Sequence, residues 1–337
     1  MKYFLSIILI LISFYSFSEK NDTITAFDST YVKSTSNFLS TYTYLTSSAN
    51  KFEIKDISSG RSLKYAPNTG VSMGFGFSYK WLGLAFSFGL KNNEIEKKGK
   101  SESFNLSTTI FGRKNIIDAK LQLYSGFYIE NPWIYDTSWV DTLNFPQRSD
   151  LLTNFASFSW VYVFNNKRFS YKAAFTQSEI QRKSAGSFLL GTFASYDIIS
   201  ADSSVLPVTA RNNFVDNANF EMSDNLNITI GAGYVYSFIF AKHFYLTMSL
   251  MQGLGVQWIF MAYQNEDYDE IRTALSNNTQ IRLGLGYNSL RDYFGLTAFT
   301  DISPLKSRNN KTQINFSSHY VKLFYGHRFD FNLKKNK

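Results

Sequence analysis

Residues 70 to 91 hold two strands of strict alternation with almost nothing between them. Val71, Met73, Phe75, Phe77, Tyr79 and Trp81 fall on one parity, against Ser72, Gly74, Gly76, Ser78 and Lys80. Leu82, Leu84, Phe86, Phe88 and Leu90 then alternate with Gly83, Ala85, Ser87 and Gly89. Successive side chains of a strand point to opposite faces, so each segment has one large apolar face and one small or polar face. Each is about long enough to cross a bilayer as a tilted strand. An amphipathic helix would repeat at 3.6, not two, so a helical fold is excluded here.

The pattern recurs. Leu226, Ile228, Ile230, Ala232, Tyr234, Tyr236, Phe238 and Phe240 oppose Asn227, Thr229, Gly231, Gly233 and Ser237. Ile281, Leu283, Leu285 and Tyr287 oppose Arg282, Gly284 and Gly286. Over 104–110, Phe104, Leu106, Thr108 and Ile110 alternate with Asn105, Ser107 and Thr109. Ile117, Ala119, Leu121, Leu123, Phe127 and Ile129 read as one face of 117–129, with Asp118, Lys120, Gln122, Tyr124 and Tyr128 on the other. Less strict strands are expected at 38–47, 153–164, 168–176, 187–198, 243–258, 291–300 and 313–329. Phe52 to Ile57 and Leu63 to Tyr65 flank Ser59-Gly60 as a hairpin.

Short turns fall at Arg113-Lys114-Asn115, Asn165-Asn166-Lys167, Ala241-Lys242 and Ser289 to Asp292. Longer polar loops fall near 92–100, 130–152, 177–186, 200–224, 262–277 and 302–312. Short turns at one end and long loops at the other are the habit of outer-membrane barrels. The fold class expected is all-β, a single-chain antiparallel transmembrane β-barrel of about 14 strands, with 12 to 16 allowed. A soluble β-sandwich also alternates, but its strands are usually shorter.

Composition agrees. Aromatic residues make up 18% of the 337, with 33 Phe and 22 Tyr but only 5 Pro. Lipid-facing strands with aromatic girdles need such a stock of rings. The net charge is +8 without a long basic run, which favours lipid headgroups or lipopolysaccharide as the anionic neighbour over nucleic acid. There is no cysteine. Lys2, the apolar run Tyr3 to Phe17 and Ser16-Phe17-Ser18 read as a signal peptide, residues 1–18. A periplasmic lead-in over 19–37, a barrel over 38–329 and a polar tail over 330–337 follow. The location expected is a bacterial outer membrane, reached through a barrel-assembly machine.

The segment Tyr162-Val163-Phe164-Asn165, Arg168 to Phe175, then Gln177, Glu179, Gln181 and Lys183 to Leu189 is distinctive. With Tyr65-Ala66-Pro67-Asn68, Ser78 to Leu84, Gln122 through Tyr128, and Asp202-Ser203-Ser204 with Pro207, it resembles the DUF4421 family, uncharacterised exported proteins of Bacteroidota. The resemblance spans about 38–328. It implies a bacterial envelope protein, an outer-membrane barrel, and it carries over no catalytic residue.

The candidate site is polar. Gln177, Glu179, Gln181 and Lys183 share a parity ahead of Ser184, and if extended they form a ladder able to line a pore or grip a ligand. A loop folded inward and satisfied by lumen hydrogen bonds is the structural alternative. Asp118, Lys120 and Gln122 need water or partners and so point to the lumen. Ser317 and His319 share a parity and invite a barrel-hydrolase reading. Ser48 to Lys51 matches a serine–lysine spacing without its companion motifs. Asn265, Asp267 and Asp269 alternate like calcium-loop ligands, but Glu270 stands where Gly is needed. No metal site, cofactor or catalytic residue is expected. The function expected is a passive pore or a surface scaffold; a lipid-acting hydrolase and an assembly or secretion partner are the alternatives.

Overall fold

Period-two alternation becomes one long antiparallel sheet that closes on itself. The computed structural model describes residues 27–79, 82–90, 95–214, 218–263, 270–306 and 312–330. The expected signal peptide, the Lys80-Trp81 turn, Asn265, Asp267 and Asp269, and the tail from 331 onward lie outside the described residues.

The strands are β1 (Val32–Ser34), β2 (Phe38–Asp56), β3 (Ser62–Ala66), β4 (Ser72–Tyr79), β5 (Leu82–Gly89), β6 (Glu102–Phe111), β7 (Asn115–Ile129) and β8 (Gln147–Val163). There follow β9 (Glu179–Gln181), β10 (Ala185–Ser200), β11 (Phe220–Phe240), β12 (Phe244–Tyr263), β13 (Glu270–Asn288), β14 (Asp292–Lys306) and β15 (Thr312–Asp330). Thirteen form one sheet, and β1 pairs with β9 outside it. The ladder runs from β15 back through β14, β13, β12, β11, β10, β8, β7 and β3 to β2, and β2 pairs with β15. That cycle is a closed ring of ten strands. The β4–β5 hairpin hangs from β2, and β6 hangs from β7. The expected fourteen wall strands are therefore not found among the described residues.

Phe38 lies opposite Asp330, so the first and last wall strands begin and end at the same rim. The tight turns lie at this rim too. Ser289 N–H donates to the Asp292 carbonyl at 2.9 Å, and Ala241 and Lys242 take positive φ between β11 and β12. In outer-membrane barrels the rim of short turns is the periplasmic one.

The alternation has the predicted polarity. On β11, Thr229 is 1% exposed while Ile230 beside it is 64% exposed. At 21 residues β11 is longer than a bilayer crossing requires.

Four local expectations need correction. Residues 168–176 are not a strand: Tyr171–Phe175 is a short helix capped by Ser170, whose Oγ accepts from Ala173 N–H at 3.0 Å. Phe169 and Tyr171 alternate, but they fill the interior rather than face lipid. Asn165-Asn166-Lys167 is thus the start of a long connection, not a hairpin turn. With the false strand removed, β8 and β10 pair directly, and the connection between them is long although it lies at the rim of tight turns. Residues 262–277 are mostly strand, since β13 starts at Glu270, and β14 likewise runs on to Lys306. In these extensions both faces carry polar residues, so no parity shows. Finally, Phe127 and Ile129 are buried inside, not outside. The ladder shifts between Ser125 and Phe127, and Gly126 takes φ 75, so one extra residue reverses the faces beyond it.

Candidate functional site

The lumen is filled at both ends, with a small polar chamber between. At the rim of tight turns the connection 164–184 turns back into the barrel. β9 pairs there with β1, Val32 opposite Gln181 and Ser34 opposite Glu179. Phe169 and Tyr171 pack against Ile116, Val161, Val163 and Val235 of the wall, which buries the plug's apolar side. At the wall strand β13, a Cβ on Gly284 would stand 3.0 Å from the Ala174 carbonyl, so glycine lets the plug lie directly on the wall.

Most of the sequence-predicted residues meet in this plug, but as its fastenings. Glu179 accepts from Arg113 Nη1 at 2.9 Å on both carboxylate oxygens and from Ser170 Oγ at 2.6 Å. Arg113 belongs to the β6–β7 turn, so this ion pair ties plug to wall. Gln181 accepts from Ser170 N–H at 2.9 Å and donates to the carbonyls of Arg168 at 2.7 Å and Lys183 at 3.0 Å. Gln177 takes φ 56, which interrupts the extended ladder expected through it. Its amide donates to Tyr245 Oη at 3.0 Å. Lys183 Nζ stands 5.2 Å from the Tyr31 ring, and Ser184 Oγ accepts from Ile239 N–H at 2.9 Å. The inward-folded loop, one of the two arrangements considered from the sequence, is what forms.

Arg328 is the fastening that sequence reading missed. It is 1% exposed and donates to the Gln177 carbonyl, to Asn288 Oδ1 at 2.8 Å and to the Ser289 carbonyl at 2.5 Å. Asn288 Nδ2 in turn donates to the Glu179 carbonyl at 2.9 Å. A charged side chain on the inward parity of a membrane strand is costly without such partners. That parity, through Phe324, Gly326 and Arg328, was the available signal.

Above the plug lies a cavity of about 60 Å³, room for a few water molecules. Asp118 and Lys120 line it, as expected. Arg282 Nη2 reaches Asp118 Oδ2 at 3.3 Å, and its guanidinium lies 5.0 Å from the Phe299 ring. Lys120 Nζ stands 4.0 Å from the same ring. Asp301 accepts from Asn278 Nδ2 at 2.5 Å and Gln280 Nε2 at 2.9 Å. Gln122 sits beside this group, accepting from Asn50 at 3.1 Å and donating to Asn105 at 3.0 Å. Among the described residues no donor reaches oxygen atoms of Asn227, Asn278 and Gln280, so the chamber suits small polar contents.

The outer mouth is covered by the connection between β10 and β11. Val205, Leu206 and Ala210 bury against Phe52, Ile54, Tyr65 and Leu151. Tyr65 Oη donates to the Val205 carbonyl at 2.7 Å, and Arg148 Nη1 donates to the carbonyls of Ser204 at 2.9 Å and Val205 at 2.7 Å.

The other motifs do not assemble. Ser317 Oγ donates to the Lys51 carbonyl at 3.5 Å, while His319 Nδ1 lies 3.3 Å from Thr300 Oγ1. Ser48 Oγ lies 3.5 Å from Tyr124 Oη, and Lys51 pairs with Glu130 at 2.5 Å. Among the described residues no group of three or more His, Cys, Asp or Glu gathers as metal ligands.

The family profile that matches, over residues 26–329, is described as a domain of unknown function, DUF4421. No curated protein matches the sequence. Similar solved structures include the outer membrane protease OmpT from Escherichia coli, at 9% identity and TM-score 0.41, over 88% of this chain and 98% of that one. The translocator domain of the autotransporter NalP from Neisseria meningitidis has 9% identity and TM-score 0.35, over 87% and 88%. The toluene transporter TodX from P. putida has 8% identity and TM-score 0.25, over 88% and 90%. None of these likenesses is strong enough to carry a function across.

Proposed function

Because the chain belongs to the DUF4421 family, which is defined without an activity, we propose from geometry alone that it is a sealed outer-membrane barrel whose periplasmic plug is its gate. Of the pore and scaffold readings, this favours a scaffold at rest that becomes a conduit for small polar solutes only when the plug is released and the β10–β11 cover over the other mouth gives way too. The observation that carries it is the buried Arg328, fixed to the plug carbonyl of Gln177 and to Asn288 at once. A passive pore has no use for a buried cation holding its lumen shut. The outward belt of Phe, Leu and Ile supports insertion in lipid, and the aromatic, alternating β15 suits handling by a barrel-assembly machine. A lipid-acting hydrolase is the weaker reading, because the serine and histidine that suggested it bond elsewhere.

Planar-bilayer conductance tests the proposal. The wild-type protein is expected to be silent at moderate voltage. Joint replacement Arg328→Ala, Glu179→Ala and Arg148→Ala, which loosens the plug and the opposite cover together, is expected to give discrete openings. Stable large channels from the wild type would overturn the gate, and a folded but silent triple variant would leave only the scaffold.

A further inference from the structure

The barrel wall is not uniform. β2 pairs with β3 through Phe52–Lys55 and with β4 through Ser40–Thr46. β7 pairs with β3 only at Ile129 and Tyr128, and with β6 from Ser125 down to Ile116. β3 is thus a lintel joining β2 to β7 near the outer end. Just below it, Asn68 N–H donates to Ser101 Oγ at 2.7 Å and Asn68 Nδ2 to the Gly99 carbonyl at 2.7 Å, which ties the two flanks together. Beneath that tie β5 and β6 face each other, and no ladder joins them among the described residues.

Their surfaces agree with a seam. Phe86 and Phe104 are exposed on the lipid side, as expected, but Ala85, Ser87 and Gly89 of β5 and Asn105 of β6 are exposed on the lumen side as well. A Cβ on Gly89 would meet nothing within 4 Å. Unpaired strand edges are not tolerated in contact with hydrocarbon alone; they need polar groups beside them. Inside, Lys322 lies at the level of Gly89, three strands round the wall from it: opposite Thr46, which is opposite Ser72, which is opposite Gly89. Its Nζ stands 5.5 Å from the Phe324 ring and 5.8 Å from the rings of Tyr42 and Tyr44. Among the described residues no carboxylate pairs with it, whereas Arg282 has Asp118. A cation held only by aromatic faces within a membrane wall calls for an anion.

We propose that the β5–β6 seam is a lateral port through which an anionic glycerophospholipid places its phosphate against Lys322, while its acyl chains stay in the bilayer. The phosphate oxygens accept from Lys322 and from the tyrosine hydroxyls nearby, and the headgroup supplies polar partners for the strand edges. The opening lies in the periplasmic half of the wall, where β4 and β5 run down to the rim of short turns. The inference rests on the membrane reading above but not on the plug acting as a gate.

The test uses the purified full-length protein. Native mass spectrometry with dioleoylphosphatidylglycerol, dioleoylphosphatidylcholine or inorganic phosphate measures retention. Wild type is expected to retain phosphatidylglycerol over phosphatidylcholine, Lys322→Gln to lose about tenfold of that affinity, and Lys322→Arg to keep it. Inorganic phosphate is expected not to compete, and displacement by phosphate alone would overturn the lipid as ligand. In phosphatidylglycerol vesicles, Ala85→Cys is expected to react with a lipid-soluble maleimide, and Thr229→Cys, on the paired wall, to stay unreacted. Equal retention by Lys322→Gln, or an inert Ala85→Cys, would overturn the port. Heat-modifiable gel mobility, measured on each variant, shows separately whether the barrel itself has formed.

Discussion

Two flanks of the same barrel solve the wall problem differently. β11 and β12 share an unbroken ladder from Met222 opposite Ala262 to Phe240 opposite Phe244, and the inward residues Ser223, Asn225, Asn227 and Thr229 are fully buried. Among the described residues β5 and β6 each have one ladder partner, β4 and β7, and a second edge without a ladder. Both flanks show the same alternation in sequence. The difference is in what lies against the small face. On β12 a Cβ at Gly255 would stand 1.9 Å from the Ile228 carbonyl; at Gly89 on β5 it would meet open space. Alternation therefore specifies which face meets lipid, while the neighbouring strand decides whether the wall is sealed.

That contrast is most sharply broken or sharpened by hydrogen exchange. Amides of β11 and β12 are expected to open only with global unfolding, and those on the free edges of β5 and β6 to exchange about a thousandfold faster or more. Equal protection, read by mass spectrometry in detergent or vesicles, would show that the flanks are alike.

The next largest effect is expected at the lintel. Tyr65 is fully buried, stacks on Phe52 at 4.6 Å and donates to the Val205 carbonyl. Tyr65→Ala should cost about 3–5 kcal/mol through the lost ring. Tyr65→Phe removes one of two donors to that carbonyl, Arg148 Nη1 remaining, and should cost about 0.5–1.5 kcal/mol. Denaturant midpoints in detergent give both values, and loss of the lintel should also quicken exchange in β5 and β6 but not in β12.

The glycine pair tests packing directly. Gly255→Ala should destabilise by about 1–3 kcal/mol because backbone must move. Gly89→Ala should stay within about 0.5 kcal/mol. A large cost at Gly89 would mean that β5 has a neighbour after all.

The smallest effect is at the plug's exposed edge. Asp28 accepts from Thr30 Oγ1 at 2.6 Å and from Thr30 N–H at 3.0 Å. These bonds hold its carboxyl below the usual value, the side-chain bond most of all. A depressed carboxyl stabilises the folded form above its unfolded value and loses that contribution as pH falls through the folded one. Acid, or Asp28→Asn, should thus loosen residues 28–34 slightly, as read by protease nicking there, and leave the barrel wall unchanged.

Much of the wall was legible, and so was part of the chamber. Leu226 to Phe240 announced both faces of β11, and Asp118, Lys120 and Gln122 announced the lumen, because a charge opposite a lipid face has nowhere else to go. The plug was not legible as a plug. Phe169, Tyr171 and Ala173 alternate as a lipid-crossing strand does, and only the Ser170 cap and the wall contacts distinguish them. Phe127 and Ile129 were misassigned for a related reason: one bulge at Gly126 reverses parity, and parity cannot register an inserted residue.

The sequence by itself determined an antiparallel barrel with a lipid face, a polar interior and its short turns at one rim. It could do so because side-chain alternation is local and repeats every two residues. Only the tertiary structure decided which segments fold into the lumen, which arginines hold them there, and where the wall is left unpaired. Those outcomes depend on contacts between residues far apart in the chain, such as Arg328 with Gln177 and Tyr65 with Val205, and on strand neighbours that no local pattern encodes.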